Sequence, residues 1–443
     1  MRELSRRDFL KLIGAGALGL IARPRLVGAL SKLDKDILDG SFASDVVQCY
    51  DANATSGSTI NQPIVQVMMD ESIKALTGQT EIGEAWKSVF PGISETSVIG
   101  IKVNCINSAL ATHPAVVTCI ANGLAMMDFS GNLFPKNNVI IWDRTDSELT
   151  SSGYTIYTGS EPSTVRCFGT DHSGVGYDSG VTFSVYGSTQ HPSKIMSQLC
   201  DHIIDAAVLK THSQGVVTLN MKNHYGSVNS PGSLQHSNGC SSAVPSLNQQ
   251  IRDVIAPNNI QKLFIIDGLF GLYSGGPGGS PNFNPKYILM SRDIVACDKQ
   301  GQNVINTERA LHSLSPLDAA QITNAAGSPY NLGSLDINLI ELNTTTGVQQ
   351  PKPGTTVDGI VQVAPDPFRD RAEITLSLSR PSQVSIDLVN AAGRTESSVY
   401  RGRLARGQHQ LPLAPSRRLP GGSYFLRFQG PTGTRVRRVT VAN

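Results

Sequence analysis

The sequence predicts an α/β body with a largely parallel sheet flanked by helices, followed by a small all-β sandwich. Three observations carry this. Apolar runs of strand length at 98–104, 138–142, 203–209 and 262–267 alternate with segments of helical periodicity. A polar, proline-bearing stretch without periodicity then interrupts the pattern at 344–356. Beyond it, alternating strands recur at 372–379, 383–389, 407–413, 422–429 and 435–441, with turn residues at Ala392-Gly393 and Pro420-Gly421-Gly422. The division that follows is a leader at 1–30, a body at 45–343, a linker at 344–358 and a sandwich at 359–443.

The 443 residues allow two or three domains and one large core. The formal charge of +2 hides an asymmetry. Residues 31–358 hold 18 Lys and Arg against 28 Asp and Glu, whereas residues 359–443 hold 13 arginines against 5 acids. An acidic body argues against nucleic acid as the partner. None of the seven cysteines forms a C-x-x-C pair, so neither an iron-sulfur cluster nor a zinc knuckle is expected. The odd count leaves at least one thiol unpaired within the chain, and an exported chain would admit one or two disulfides.

In order, Ser5-Arg6-Arg7-Asp8-Phe9-Leu10-Lys11 precedes an apolar run at 12–22 and the small residues Val27-Gly28-Ala29. This resembles a twin-arginine export signal. The run is too short and glycine-rich for a good membrane span, so no transmembrane anchor is expected in the mature chain. Helices are predicted at 60–76 and 84–90, around a loop at 53–59. Lys102 and Asn104 alternate to one face of the strand at 98–104. His113 precedes Pro114 at the start of a helix running 115–127, where backbone N–H groups favour anions and lower the pKa of an imidazole. The strand at 138–142 ends in Asp143-Arg144. Residues 144–200 read as an insertion with β pieces at 163–168 and 180–186 and helical character at 193–200.

The centre of the chain is 207–227. A strand at 203–209 runs out into Lys210, Thr211 and His212. A turn at 213–215 and an apolar run at 216–219 then deliver Lys222, Asn223 and His224. Two Lys-plus-His clusters thus bracket one strand–turn–helix corner, and open α/β sheets bind ligands beyond the carboxyl ends of their strands. A loop at 226–243, carrying His236, is long enough to cover a site. After a helix at 245–255, the strand at 262–267 places Asp267 at its carboxyl end. The loop at 268–280, with Gly275 and Gly276, lets backbone approach an anion closely. It lacks the spacing of a nucleotide-triphosphate loop. A strand at 287–291, a helix at 294–312 carrying Asp298, a helix at 317–325 and a strand at 336–342 complete the body.

These residue types suggest roles. Lys102, Lys210 and Lys222 would bind an anion, and His113, His212 or His224 would move protons. Asp267 or Asp298 would orient a histidine or hold a cation. Asn104, Asn223, Gly275 and Gly276 would complete the ligand site. Lys102, His113, Lys210, His212, Lys222, His224 and Asp267 are expected to line one cleft. The leading reading is an enzyme acting on a small anionic substrate, with hydrolysis, isomerisation and redox chemistry all open. The alternative is a non-catalytic surface protein that holds a small anion or a metal. The cofactor is unknown from sequence, and a divalent metal is compatible with it.

The body also resembles the domain-of-unknown-function 362 family, through IGIKVN at 99–104, THPAVV at 112–117, IIWDR at 140–144, AVLKTH at 207–212, TLNMKNHYGS at 218–227, IIDGLFGLYSGGP at 265–277 and IVACDKQG at 294–301. Members usually carry Asp-Pro-Val-Ala where this chain has Asp293-Ile294-Val295-Ala296, and some add ferredoxin cysteines that are missing here. The resemblance implies a fold and a site but no reaction. A looser similarity extends to lactate-racemase-type nickel enzymes, which place His and Lys residues around α/β domains. The tail resembles the sorting domains of type IX secretion cargo, which are related to immunoglobulin-like modules of the flagellar hook cap. Ala364-Pro365-Asp366-Pro367-Phe368, Ala392-Gly393-Arg394 and Gly421-Gly422-Ser423-Tyr424-Phe425 carry that likeness. It implies export and secretion machinery as partners and a periplasmic, cell-surface or secreted location.

Overall fold

The computed structural model describes residues 43–255, 260–345 and 359–442, except 365–367, 379–380, 391–393, 406, 416, 418 and 431–432. The predicted leader at 1–30, nearly all of the linker, the Pro365-Asp366-Pro367 element and the Ala392-Gly393 turn lie outside the described residues.

The body is built on a nine-stranded sheet. Its strands are β1 (Ser44–Tyr50), β2 (Ile99–Val103), β3 (Val139–Trp142), β4 (Arg166–Cys167), β5 (His202–His212), β6 (Val216–Thr218), β7 (Gln261–Leu272), β8 (Tyr287–Ser291) and β9 (Ile337–Asn343). The order is β9-β1-β8-β7-β5-β2-β3-β4, with β6 folded back on β5. On that path β8 alone runs against its neighbours β1 and β7, and every other pairing is parallel. The carboxyl ends of β7, β5, β2 and β3 therefore open at one edge of the sheet.

Helices α1 (Gln62–Thr77), α2 (Ile82–Val89) and α3 (Pro114–Leu124) cover one face. The short α4 (Asn220–Asn223) follows β6, and α5 (Ala243–Val254), α6 (Ile294–Leu311) and α7 (Ala320–Ala326) cover the other face. The twofold period of β5 divides its side chains between the two cores. Ile204, Ala206 and Val208 join the first, and Ile203, Ala207 and Leu209 the second. Asp205 falls on the second face, fully buried.

Some expected boundaries move for identifiable reasons. The central strand extends to His212 because β6 pairs with its end, matching Lys210 with Thr218 and His212 with Val216. Lys210 and His212 are strand residues, not loop residues. The strand at 262–267 continues to Leu272, so Asp267 lies inside it instead of at its end. Gly271 belongs to this strand because the Phe283 ring occupies the space of a side chain: a Cβ there would sit 2.3 Å from it. β1 was not expected; its Val46, Val47 and Cys49 are buried between β8 and β9. Of the β piece at 163–168 only Arg166–Cys167 pairs, and residues 195–199 form a π-helical turn in place of an α-helix.

The C-terminal region has a three-stranded sheet (Gly359–Ala364, Ala372–Leu378, Gly407–Leu413) and a four-stranded sheet (Ser382–Asn390, Thr395–Leu404, Gly422–Gly430, Gly433–Val441). Leu376 and Leu413 of the first share one apolar cluster with Ile386 and Phe428 of the second. Thr395–Leu404 escaped the sequence pattern because it is an edge strand with no buried residue. All seven cysteines are buried and free, so the disulfides that export would admit are not formed. Among the described residues no helix is long and apolar enough to cross a membrane.

Candidate functional site

A cavity of about 410 Å³ opens where β2, β3 and β5 end. Asn104 follows β2, Asp143 and Arg144 follow β3, and Lys210 and His212 end β5. Thr218 comes from β6, and Lys222 and Asn223 from α4. Tyr225, His236 and Pro277 come from the loops around the mouth. Such a crevice at strand ends is the expected place for a ligand in an open α/β sheet.

The floor is a buried polar network. Lys102 Nζ donates to Asp143 Oδ1 at 2.8 Å, to the Val103 carbonyl at 2.7 Å and to Asn223 Oδ1 at 3.2 Å. Asn223 Oδ1 also accepts from Asn104 Nδ2 at 3.0 Å, and its Nδ2 donates to Asp205 Oδ1 at 2.6 Å. Asp143 is held further by the N–H groups of Cys105 and Arg144. Asn223 is thus fixed in orientation by three side chains, and Asp143 already has a cation.

The cations facing the cavity differ from Lys102. Lys210 Nζ donates to Asn104 Oδ1 at 2.8 Å and to the Leu110 carbonyl at 3.4 Å, with no carboxylate in contact among the described residues. Burial pushes its pKa down to about 8, against the opposing pull of Asp143. Lys222 stacks its ammonium 3.3 Å from the centre of the Tyr225 ring and has no hydrogen-bond acceptor among the described residues. It is only 7% exposed, and burial lowers it to about 8 as well. His212 Nδ1 accepts the backbone N–H groups of Gln214 and Gly215 at 3.0 and 2.9 Å. Burial, then Lys222, His236 and Lys210, push it down to about 4, so it is neutral at ordinary pH.

The single cleft expected from sequence divides into parts. Lys210, His212, Lys222, Asn104 and Asn223 line the cavity, and Lys102 lies directly beneath it. His113 and Asp267 instead form a separate pair, Nδ1 to Oδ2 at 2.6 Å, that does not line it. His224 is fully buried, bonding Gln261 and Ser227 at 3.0 Å each. Burial and Lys102 push His224 down to about 3, while burial raises Asp205 well above the carboxylate range. The two side chains lie 3.3 Å apart, His224 Nε2 to Asp205 Oδ2. Asp298 caps α4 by accepting from the N–H groups of Asn220 and Met221, and burial lifts it to about 7. Gly275 and Gly276 stand back from the cavity; Pro277 and Gly278 line it. Among the described residues no group of three or more His, Cys, Asp and Glu could hold a metal ion.

Asp143, Arg144, Thr218, Tyr225 and His236 were not chosen from sequence. Asp143 carried the same signal as Asp267, an acid at the carboxyl end of an apolar strand. Thr218 and His236 depend on β6 and the 226–243 loop folding over the strand ends.

Residues 99–303 match the model of the family described as Domain of unknown function (DUF362). The matched region runs from β2 into α6 and contains every cavity residue; β1 and β9 lie outside it. The DUF362 description names no activity. No curated protein matches the chain. Among solved structures, a Pseudomonas fluorescens alkylpurine DNA glycosylase, AlkC, bound to DNA containing an abasic-site analogue, is 13% identical, with a TM-score of 0.14. That match covers 18% of this chain, which spans 28% of the glycosylase. A modular endo-β-1,4-mannanase from Cellulomonas fimi is 11% identical over 87% of this chain and 82% of its own, with a TM-score of 0.19. Scores this low carry no argument.

Proposed function

We propose that the protein is an enzyme acting on a small anionic substrate held in the cavity at the ends of β2, β3 and β5. The observation that carries this is Lys222. A buried ammonium without a hydrogen-bond acceptor is costly, and an incoming anion supplies the missing partner. Lys210 adds a second cation whose acceptors are all uncharged. Asp143, the carboxylate at the cavity, is already neutralised by Lys102. The cavity therefore favours a carboxylate or phosphate group over a cation. His212, neutral and fixed by two backbone donors, presents its remaining Nε2–H to whatever is bound.

The export reading belongs to the same proposal. The twin-arginine pattern would carry the folded chain out of the cytoplasm, and the C-terminal sheets would serve as the sorting or anchoring module of an immunoglobulin-like type. Neither feature takes part in the chemistry.

Calorimetric titration with oxalate tests the anion site. Wild type should bind and Lys222→Met should lose binding by 100-fold or more, about the worth of a buried charge-assisted hydrogen bond. Equal affinity in both proteins would remove Lys222 from the site. Binding with no turnover in any substrate screen would turn the reading to a non-catalytic binding protein.

A further inference from the structure

The two histidines of the cavity are held in opposite tautomers. His212 Nδ1 accepts two backbone N–H groups, so this nitrogen carries the lone pair and Nε2 the proton. His236 Nδ1 lies 2.8 Å from the Leu234 carbonyl, which can only accept. Its Nδ1 therefore carries a proton, and in the neutral ring the lone pair lies on Nε2. The Tyr225 ring, edge-on at 5.3 Å, holds the His236 imidazole in place. One cavity wall thus offers a hydrogen-bond donor and another a base. A third group joins them: among the described residues Thr218 Oγ1, buried opposite Lys210 in the β5–β6 register, has no hydrogen-bond partner.

We propose that the substrate is a 2-oxo acid and that His236 Nε2 removes a proton from its C3 carbon. This rests on the anion-site reading above and adds a reaction to it. Lys222 would hold the carboxylate. The electron pair of the broken C–H bond moves into a C2–C3 double bond, and the carbonyl electrons pass to oxygen. His212 Nε2–H and the Thr218 hydroxyl donate to that enolate oxygen. Return of the proton from the His236 imidazolium restores the keto acid, so the step balances without an oxidant or a cofactor. The class of substrate follows from the weakness of the base. A neutral imidazole abstracts a carbon-bound proton only where a neighbouring carbonyl delocalises the charge and fixed donors receive it. His212 suits the donor role because it remains neutral and keeps its Nε2 proton across the working range.

The test is proton exchange on the full chain. Pyruvate in D₂O, followed by loss of its methyl ¹H signal, should exchange faster with wild type than in buffer. His236→Asn should lose about 100-fold or more of that enhancement, the usual worth of a general base. Its oxalate affinity and melting temperature should stay at the wild-type values, which a purely structural role for His236 would not allow. His212→Gln, which keeps an N–H donor, should retain more exchange than His212→Ala. Oxalate binding without pyruvate exchange would overturn the acid–base assignment and leave the anion site standing. Exchange that survives in His236→Asn would remove His236 as the base. Absence of oxalate binding would overturn both readings.

Discussion

Lys102 and Asp143 form an ion pair 2.8 Å long at the floor of the cavity, with side chains 1% and 5% exposed. The pair connects the ends of β2 and β3. Through Asn223 it also fixes the first turn after β6. Removing one partner leaves an uncompensated charge on a side chain that is almost wholly buried. Lys102→Met should therefore cost about 3–5 kcal/mol of stability. The chain has two tryptophans, Trp86 and Trp142, both buried in the body, so their emission during urea unfolding reports this domain alone. The double variant Lys102→Met/Asp143→Leu should be less destabilised than the sum of the singles. A loss under about 1 kcal/mol for Lys102→Met would mean that Asp143 is content with its backbone donors.

Anion affinity should depend on pH in one direction. Lys222 and Lys210 are both lowered to about 8 by burial, and only their protonated forms attract an anion. Oxalate keeps a fixed charge over the range of interest. Its affinity should fall as pH rises through about 8, the value for both lysines. His212, lowered to about 4, should add no step in that range. Lys222→Arg, which cannot deprotonate, should flatten part of the decline. Affinity that climbs with pH would show that a neutral amine, not an ammonium, meets the ligand.

The glycine-rich segment has a structural duty next to the cavity. A Cβ on Gly276 would lie 1.8 Å from the Thr211 carbonyl oxygen, and Gly276 N–H donates to Thr211 Oγ1 at 3.1 Å. This contact ties the Pro277 and Gly278 wall to the end of β5. Gly276→Ala should cost about 1–3 kcal/mol, the usual price of overpacking, and should weaken oxalate binding by moving that wall. Gly278→Ala, where a Cβ meets nothing within 4 Å, is the control and should be silent in stability.

The contrast between these residues explains what the sequence could show. Lys210, His212, Lys222, Asn104 and Asn223 were legible because each follows an apolar run, and runs of that kind mark strand ends. The α/β class was legible for the same reason. What failed was continuation. Nothing local says that β5 goes on through Lys210 to His212; the cause is β6, which folds back on that end after the turn at 213–215. Nothing local says that Gly271 is a strand residue, because the Phe283 ring that requires it lies beyond the loop. His224 looked like His212 in sequence, yet it faces the buried Gln261. Helix-like spacing around the short α4 does not reveal which side of it meets the core.

The pair of His113 and Asp267 gives a stability signature distinct from the cavity. Asp267 is fully buried and accepts from His113 twice, at Nδ1 and at the backbone N–H. Burial by itself lowers the His113 pKa and is the largest influence, but the Asp267 charge and hydrogen bond together outweigh it, and the net direction is upward. A raised folded-state value means that the folded protein holds the proton more tightly than the unfolded chain, whose histidine titrates near 6.5. The extra stability is then fully present below about pH 6.5 and disappears as pH rises through the higher folded value. The difference in unfolding free energy between wild type and His113→Gln should accordingly be larger at pH 5.5 than at pH 8.5. Asp267→Asn removes the charge that outweighs burial, so His113 should then titrate below the ordinary histidine range, followed through its Cε1–H resonance. A wild-type advantage that grows toward high pH would show that burial prevails and that the imidazole of this pair is neutral.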